Sequence, residues 1–560
     1  MTFLGTLIDL ARTDPDALAI VEPGAGATER ISRNTLVDRV LVVRRELAEH
    51  GFGEGDCLGV WLPNWSAALV WQLAAGSLGG HVIGINTRYG VHEVTHVLTL
   101  ARPKVIVIAH EFVGLDLIGR LRTAAEDAAH TDGWTPPQVV PIAAPTGTHT
   151  GPGAGADTGA DAATTGAVGT RTAVDPTSYD IGGGAWLPGA GEPLTLDELA
   201  EPSADDLYVA FTTSGSTGLP KLAAHKEAGT LEQCLGAGAR TGMGPGKALI
   251  AALPFSGTFG FVQAFAMLLS GGVIVMHPSF NPAEVAQQIE RYRVTHGAFG
   301  DDMWVRIIDE VGDADLSSLE WLGVGDFQGA ARGVADWLRS RTTAHVSGLY
   351  GSSETFALLT TTPTGVPADV SWLPGGRLVV DALEYRIADG ERVITDGSEG
   401  ELQFRGPQTV DAYLGQPQKM AENHTADGWF RSGDLARAID ERGFRFVCRA
   451  AEALRLKGFL VEPDEIGNHI ATHPAVEIAK VVGVRRDAGD EAVGFVTLRE
   501  GERVDGDELV EYCRTSLARY KVPVAVFVID EMPVTTGTNG TKIRANVLKE
   551  WALERLEATS

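Results

Sequence analysis

The sequence predicts a layered α/β protein with a large N-terminal unit and a small α+β C-terminal unit. Over most of the chain, short apolar runs alternate with helical patterns, as buried strands separated by helices do. From Gly400 to Val447 the residue pattern becomes typical of β-strands, with many glycines. After Arg449 a shorter series of strand-like and helix-like segments follows. The N-terminal unit is therefore expected to hold mixed sheets and a β-rich subdomain.

The N-terminal elements are predicted from periodicity. Residues 281–294 predict a helix, because Val285, Ile289 and Tyr292 recur at i, i+4 and i+7 on one helical face. Buried strands are predicted at residues 57–63, 81–86, 104–110, 248–254 and 271–277.

The C-terminal unit is predicted to begin after a hinge near residues 448–452. The two domains are then residues 1–448 and 449–560. Within the second domain the pattern predicts helices at 463–473 and 506–518, and strands at 478–484, 493–498 and 525–529.

Residues 143–170 form a segment of unusual composition. Val168 is the only large aliphatic residue there, and the segment contains no aromatic residue. Such a composition cannot bury enough surface to offset the entropy of ordering. The segment is predicted to be a disordered surface insertion, with a mobile lid as the alternative.

Charge and cysteine spacing exclude several protein classes. With 46 basic and 73 acidic residues the formal charge is −27, which argues against binding nucleic acid or anionic membrane over a broad surface. The four cysteines are far apart with no CxxC pair, unlike a disulfide scaffold or zinc ribbon. Polar residues and glycines interrupt the most apolar window, residues 67–85, so a membrane span is not expected. We predict a cytoplasmic protein.

The string FTTSGSTGLPKLAAH, residues 211–225, is the most informative in the sequence. Hydroxyl groups, glycines that permit close backbone approach and one lysine together suit a polyphosphate. It is not a Walker A loop, because Pro220 stands where that motif needs glycine and no Ser or Thr follows Lys221. A solvated Gly/Ser linker is the alternative, but the apparent strand before it favours a phosphate loop.

TSGSTGLPK resembles the signature loop of the adenylate-forming superfamily, which includes acyl- and aryl-CoA synthetases, peptide adenylation domains and luciferases. The resemblance extends, in the family's order, over nearly the whole chain outside residues 143–170. It is carried further by YGSSE (350–354), GWFRSGDL (428–435), RAAEALRLKGFLV (449–461) and TGTNGTKIRANVL (536–548).

The resemblance implies that the enzyme joins an acid to AMP from ATP, releases pyrophosphate and passes the acid to an acceptor. The small C-terminal domain is then mobile and rotates at a hinge where Ala451 stands. Lys542 is the expected catalytic cation between the acid and the α-phosphate, and Glu354 the ligand of Mg²⁺. The β- and γ-phosphates are expected to bind Thr213, Ser214, Gly215, Ser216, Thr217, Gly218 and Lys221.

The remaining nucleotide contacts are implied in the same way. Ser353 stands where the family has Thr and would donate to the α-phosphate, and Tyr350 would lie against adenine. Asp434 would accept from both ribose hydroxyls, with Arg449 beside it. The alternatives are a surface turn for Glu354, a core tyrosine for Tyr350, a Gly-Asp turn for Asp434 and a surface ion pair for Arg449.

Three departures from the family pattern fall where the acid and the acceptor bind. LPFSGTFGF (253–261) keeps the aromatic Phe255 but lacks the family histidine. The hinge has Ala451 in place of Asp or Lys, and Cys448 in place of Gly. Asp301 and Asp302 stand in the substrate-pocket segment, where paired carboxylates would suit an amino or hydroxyl group. The alternative is a helix N-terminus, at which an aspartate is an ordinary cap.

These features leave several functions open. The first is an acyl- or aryl-CoA ligase, with CoA as acceptor. The second is an ATP-dependent diazotase that activates nitrite and couples it to an aromatic amine, as some relatives do. The third is an enzyme that activates an acid for a separate carrier protein. A nucleotide-binding module without turnover is the non-enzymatic alternative.

Overall fold

The computed structural model describes residues 1–24, 27–145, 174–189, 191–194, 202–213, 220–450, 454–456, 459–461, 463–486, 489–537 and 540–559. Except for residues 143–145, the predicted insertion at 143–170 lies outside the described residues. Within them the fold is mixed α/β, with a large N-terminal part and a smaller C-terminal part. The predicted fold class is confirmed.

The first sheet of the N-terminal part is mainly parallel. Its inner strands are apolar and largely buried, as expected of a parallel sheet covered on both faces. Only its edge pair β1–β2 is antiparallel. With strands numbered along the chain, the spatial order is β2 (Glu29–Ser32), β1 (Leu18–Glu22), β10 (Val273–Met276), β9 (Ala248–Ala251), β11 (His296–Gly300), β12 (Trp321–Gly325) and β13 (His345–Ser352).

An antiparallel sheet continues from β13 and forms the predicted β-rich part. Its strands alternate in direction throughout. From β13 outward the order is β14 (Phe356–Thr361), β15 (Gly375–Leu378), β21 (Gly443–Arg449), β20 (Phe430–Asp440), β18 (Gly400–Arg405), β16 (Glu384–Asp389) and β17 (Arg392–Val393).

A separate sheet carries the predicted phosphate loop. Its central strands are parallel, and the last two pairings are antiparallel. The order is β6 (Gln138–Ile142), β5 (Val105–Ala109), β3 (Cys57–Trp61), β4 (His81–Gly84), β7 (Leu207–Thr212), β8 (Leu222–Lys226) and β19 (Ala412–Tyr413).

Helices cover these sheets, and their ends follow local sequence. Asn281 caps the predicted helix at 281–294 and Pro282 is its first residue, an arrangement that favours a helix start. No helix in the described part is both long and apolar enough to cross a membrane. The helices are α1 (Phe3–Thr13), α2 (Arg33–Glu49), α3 (Ser66–Gly76), α4 (Val91–Ala101), α5 (Leu117–Ala128), α6 (Glu227–Thr241), α7 (Thr258–Leu269), α8 (Pro282–Arg291), α9 (Asp301–Glu310), α10 (Ala331–Arg341) and α11 (Gln418–Glu422), with one 3-10 turn at Pro176–Tyr179.

The C-terminal part has its own apolar clusters, built from residues between Leu454 and Leu556. Its predicted helices and strands all form, with ends that differ by a few residues. The division at residue 448 and the mobility of this part stay predictions. The elements are β22 (Leu454–Leu456), β23 (Phe459–Val461), α12 (Pro463–Ala471), β24 (Val476–Arg486), β25 (Gly489–Leu498), α13 (Gly506–Ser516), β26 (Ala525–Val528), β27 (Val534–Gly537), β28 (Gly540–Ile543) and α14 (Ala545–Thr559).

Candidate active site

Predicted nucleotide residues from two sheets lie near the carboxyl end of β13. Thr213 follows β7 directly, and Ser353 and Glu354 follow β13. Asp434 on β20 is paired in register with Arg449 at the end of β21. Ligands of open α/β sheets bind outside the carboxyl ends of the strands. The fold therefore places residues that are far apart in sequence at the edge where a nucleotide is expected.

Lys221 and Glu354 form an ion pair at this edge. The Lys221 Nζ lies 3.4 Å from Oε1 of Glu354, and both side chains are mostly buried. The ammonium also lies over the ring of Tyr413, 4.6 Å from its centroid. The ammonium that is predicted to bind phosphate and the carboxylate that is predicted to bind a metal therefore lie side by side.

Ser353 connects the phosphate-loop sheet to the first sheet. Its hydroxyl donates to the carbonyl of Thr212 at 3.2 Å, and the Thr258 hydroxyl lies 3.4 Å away. The carbonyl of Ser353 accepts from Nε2 of His225 at 2.8 Å. These bonds fix the residue before Glu354 to the end of β7 and to β8.

The backbone after Glu354 is strained. Phe356 and Leu358 have φ values of 65° and 53°, a left-handed conformation that is costly for side chains other than glycine. The Phe356 ring is fully buried and lies 4.1 Å from the His225 ring. Packing and the His225 bond hold this conformation, as is common at functional sites.

Asp434 is buried and contacts both other residues of the predicted ribose and adenine site. Its Oδ2 accepts from the Tyr350 hydroxyl at 2.6 Å, and its Oδ1 lies 3.0 Å from Nε of Arg449. Burial is the main cause that raises the pKa of Tyr350 well above its ordinary value, followed by the charge of Asp434. The phenol therefore stays protonated and donates. Arg449 is half exposed, so one face of the pair remains open to solvent.

Some predicted residues cannot be placed. Ser214, Gly215, Ser216, Thr217 and Gly218 lie outside the described residues, as does the hinge residue Ala451. Thr213 is described: its amide donates to the carbonyl of Lys221 at 2.9 Å. Lys542 is placed by its backbone, on β28 opposite Thr535. That strand lies against α9 and β11 of the N-terminal part.

Asp301 does not face a substrate, which corrects the prediction for this residue. It is fully buried, and its Oδ1 accepts from the amides of Asp302 and Phe327, both at 3.1 Å. Its Oδ2 accepts from the amides of Gln328 and Ala330, both at 2.9 Å. Four backbone donors use the carboxylate completely. Asp301 anchors the loop between β12 and α10 and is the first residue of helix α9, whose N-cap is Gly300 rather than either aspartate.

Asp302 has a different position, at a cavity of about 260 Å³ beside the carboxyl ends of the strands. The wall combines apolar side chains with Arg88 and Arg306.

Phe255 is buried and its amide donates to Oδ1 of Asn64 at 3.1 Å. Its neighbours Pro254 and Ser256 line the cavity, but Phe255 does not. The role of Phe255 at the acid site therefore stays a prediction.

Two residues of the site were missed. His225 ends the quoted phosphate-loop string, and its place as a buried polar residue in a strand was the available signal. Tyr413 lies in no recognised motif. It reaches Lys221 only because β19 pairs with β8 across the sheet edge, a pairing that sequence spacing does not reveal.

Comparison with known proteins agrees with this geometry. A family model described as AMP-binding enzyme matches residues 9–414, and a model of the AMP-binding enzyme C-terminal domain matches residues 465–538. Feruloyl-CoA synthase of an Amycolatopsis species is 28% identical over 94% of both chains. A naphthoate–CoA ligase (2-hydroxy-7-methoxy-5-methyl-1-naphthoate) of Streptomyces carzinostaticus is 27% identical over 95% of this chain and 90% of its own. The ATP-bound crystal structure of MatB from Rhodopseudomonas palustris superposes with a TM-score of 0.78 at 23% identity, covering 98% of this chain and 99% of MatB.

Proposed function

The chain belongs to the AMP-binding enzyme family and is an ATP-dependent, AMP-forming ligase, and on this premise we propose that it converts an aromatic carboxylic acid to its CoA thioester. The observation that carries the proposal is that two groups of contacts lie at the carboxyl end of β13: the Lys221–Glu354 ion pair just after the strand, and the Asp434–Arg449 pair bonded to Tyr350 on it. Near-full-length similarity to two enzymes named for aromatic acids supports the acid class.

In the first half-reaction a carboxylate oxygen attacks the α-phosphorus of ATP and pyrophosphate leaves. The protein has to align the reactants and neutralise charge, since no covalent step on a side chain is needed. We assign the β- and γ-phosphates to Lys221 and residues 213–218, the α-phosphate to Ser353, the ribose to Asp434 and Arg449, and the adenine to the face beside Tyr350. Ribose hydroxyls would donate to the carboxylate of Asp434 in addition to Tyr350.

Glu354 is the residue that would hold Mg²⁺. In the described part of the chain no group of three or more His, Cys, Asp or Glu residues could bind a metal. A single carboxylate together with substrate phosphates is the arrangement that Mg²⁺ commonly uses. The ion would supply positive charge on the phosphate oxygens, and Lys221 next to Glu354 supplies charge to the same group.

Lys542 would bring the last positive charge, from the C-terminal part. The approach of β28 to α9 and β11 supports this role. In the second half-reaction the thiol sulfur of CoA attacks the acyl carbon and AMP leaves. We propose that the C-terminal part rotates between the two steps, about a hinge at Ala451.

The cavity beside Asp302 supports an aromatic reactant. Phe112, Phe280 and Met303 contribute apolar and aromatic wall, while Arg306 lies over the Phe280 ring at 4.8 Å. Sites for small molecules typically combine such walls with a few placed polar groups. Nitrite activation has no comparable support, because Asp301 is bound by backbone amides and the relatives act on carboxylic acids by name.

The test supplies ATP and Mg²⁺ with single acids: ferulate, 4-hydroxybenzoate, cinnamate and octanoate, each with and without CoA. A parallel arm supplies nitrite with an aminobenzoate. Pyrophosphate is measured in all arms and thioester in the CoA arms. We expect pyrophosphate to be released with an aromatic acid, and a thioester to form only when CoA is also present. Pyrophosphate that requires nitrite and the arylamine would contradict the proposal, and acid-dependent pyrophosphate without any thioester would indicate a carrier protein as acceptor.

A further inference from the structure

Tyr413 lies beside Lys221 because a two-residue strand is added to the sheet edge. Strand β19 pairs with β8, and Tyr413 stands opposite Ala223, two residues after Lys221. Its side chain is 2% exposed. The ring is therefore fixed by its surroundings and is not a surface group that moves with the lysine.

The ammonium of Lys221 is held on two sides. On one side Nζ lies 4.6 Å from the Tyr413 ring centroid and donates a hydrogen bond to the Tyr413 hydroxyl at 3.4 Å. On the other side it lies 3.4 Å from the Glu354 carboxylate. The distance to the ring is within the range in which the face of an aromatic ring attracts a cation.

The two partners have different consequences for a phosphate ligand. A carboxylate competes with phosphate for the ammonium, and Glu354 is also the group expected to bind Mg²⁺. A ring face attracts the cation with its quadrupole and carries no net charge. It can therefore hold the flexible lysine stem in place while the N–H donors turn to phosphate oxygens.

We propose that Tyr413 is a positioning residue for Lys221, and that its ring face holds the ammonium towards the β- and γ-phosphates of ATP. The inference rests on the proposed phosphate-binding role of Lys221. It concerns phosphates beyond the α-position, so it separates ATP from AMP as ligands.

The test replaces Tyr413 by phenylalanine and by phenylalanines carrying two, three and five ring fluorines. Fluorine withdraws charge from the ring face and changes its shape little. The Kd of ATP and of AMP is measured by titration calorimetry in the presence of Mg²⁺. Tyr413→Phe, which has lost the hydroxyl acceptor of Lys221, is the reference. Relative to it we expect the Kd of ATP to rise with each further fluorination, by about 5- to 20-fold over the series, and the Kd of AMP to stay constant.

Lys221→Ala distinguishes a failure of the proposed phosphate-binding role of Lys221 from a failure of the inference about Tyr413. If this variant binds ATP as the wild type does, the proposed role of Lys221 is wrong. If it weakens ATP binding while the fluorinated series is flat, or if the series weakens AMP equally, the ring only fills space and the inference about Tyr413 is overturned. Tyr385→Phe is the matched control, because this tyrosine donates to carbonyls of Asp440 and Gly443 in the antiparallel sheet.

Discussion

His225 determines the position of a site residue without being expected to touch the substrate. It is fully buried on β8, and its Nε2 bond to the Ser353 carbonyl links two sheets at the point where Glu354 begins. Burial lowers the pKa of His225 to about 4, although the bond to Ser353 opposes this. The ring therefore remains neutral near pH 7, and its donor to Ser353 does not depend on pH in that range.

The lowered pKa of His225 predicts a pH-dependent stability. An unfolded histidine binds a proton below about pH 6.5, whereas the buried ring resists it, so unfolding is favoured as the pH falls from about 6.5 to 4. His225→Gln keeps a donor of similar reach and does not titrate. We expect this variant to lose less stability at low pH, by on the order of 2–3 kcal/mol. The measurement compares melting temperatures of both proteins over this pH range, and parallel curves would refute the assignment.

At the scale of elements, helix α9 and the loop after β12 act as one unit. The Asp301 carboxylate at the start of α9 accepts hydrogen bonds from the backbone amides of residues 327, 328 and 330. This bonding could not be read from the sequence, because the donors lie more than 20 residues further along the chain. Apolar runs and periodicity did locate the elements that were predicted individually, such as β3, β5 and α8, since each one buries a continuous run or a single face.

Asp301→Asn should loosen this unit. An amide in place of the carboxylate sets an N–H group against backbone N–H groups and leaves at least one buried amide unpaired. We expect a loss of on the order of 2–3 kcal/mol in stability and faster hydrogen exchange at Phe327, Gln328 and Ala330. Asp302→Asn is the matched control on the neighbouring residue. Equal exchange in both variants would show that Asp301 is not the anchor.

At the scale of the molecule, motif residues of the described N-terminal part contact one another across two sheets, and strand β28, which carries Lys542, contacts α9 and β11. Asp326 lies on the loop after β12, and Asp464 lies on helix α12 of the C-terminal part. Burial raises the pKa of Asp326 to about 7, and the charges of Asp301 and then Asp464 add to this effect, so α12 lies close to that loop. The motifs predicted this assembly because each one encodes a local turn with its chemistry. Contacts such as Lys221 with Tyr413 depend on sheet pairing, and the sequence does not contain a local signal for them.

We propose that Lys542, a cation of the C-terminal part, completes an adenylate-forming site in the N-terminal part. ATP–pyrophosphate exchange with an active aromatic acid, compared between wild type, Lys542→Ala and the control Lys549→Ala, tests it most directly. We expect Lys542→Ala to lower the exchange rate by about 10²- to 10³-fold, the scale of one preorganised electrostatic group, and Lys549→Ala to exchange normally. Normal exchange by Lys542→Ala would contradict it.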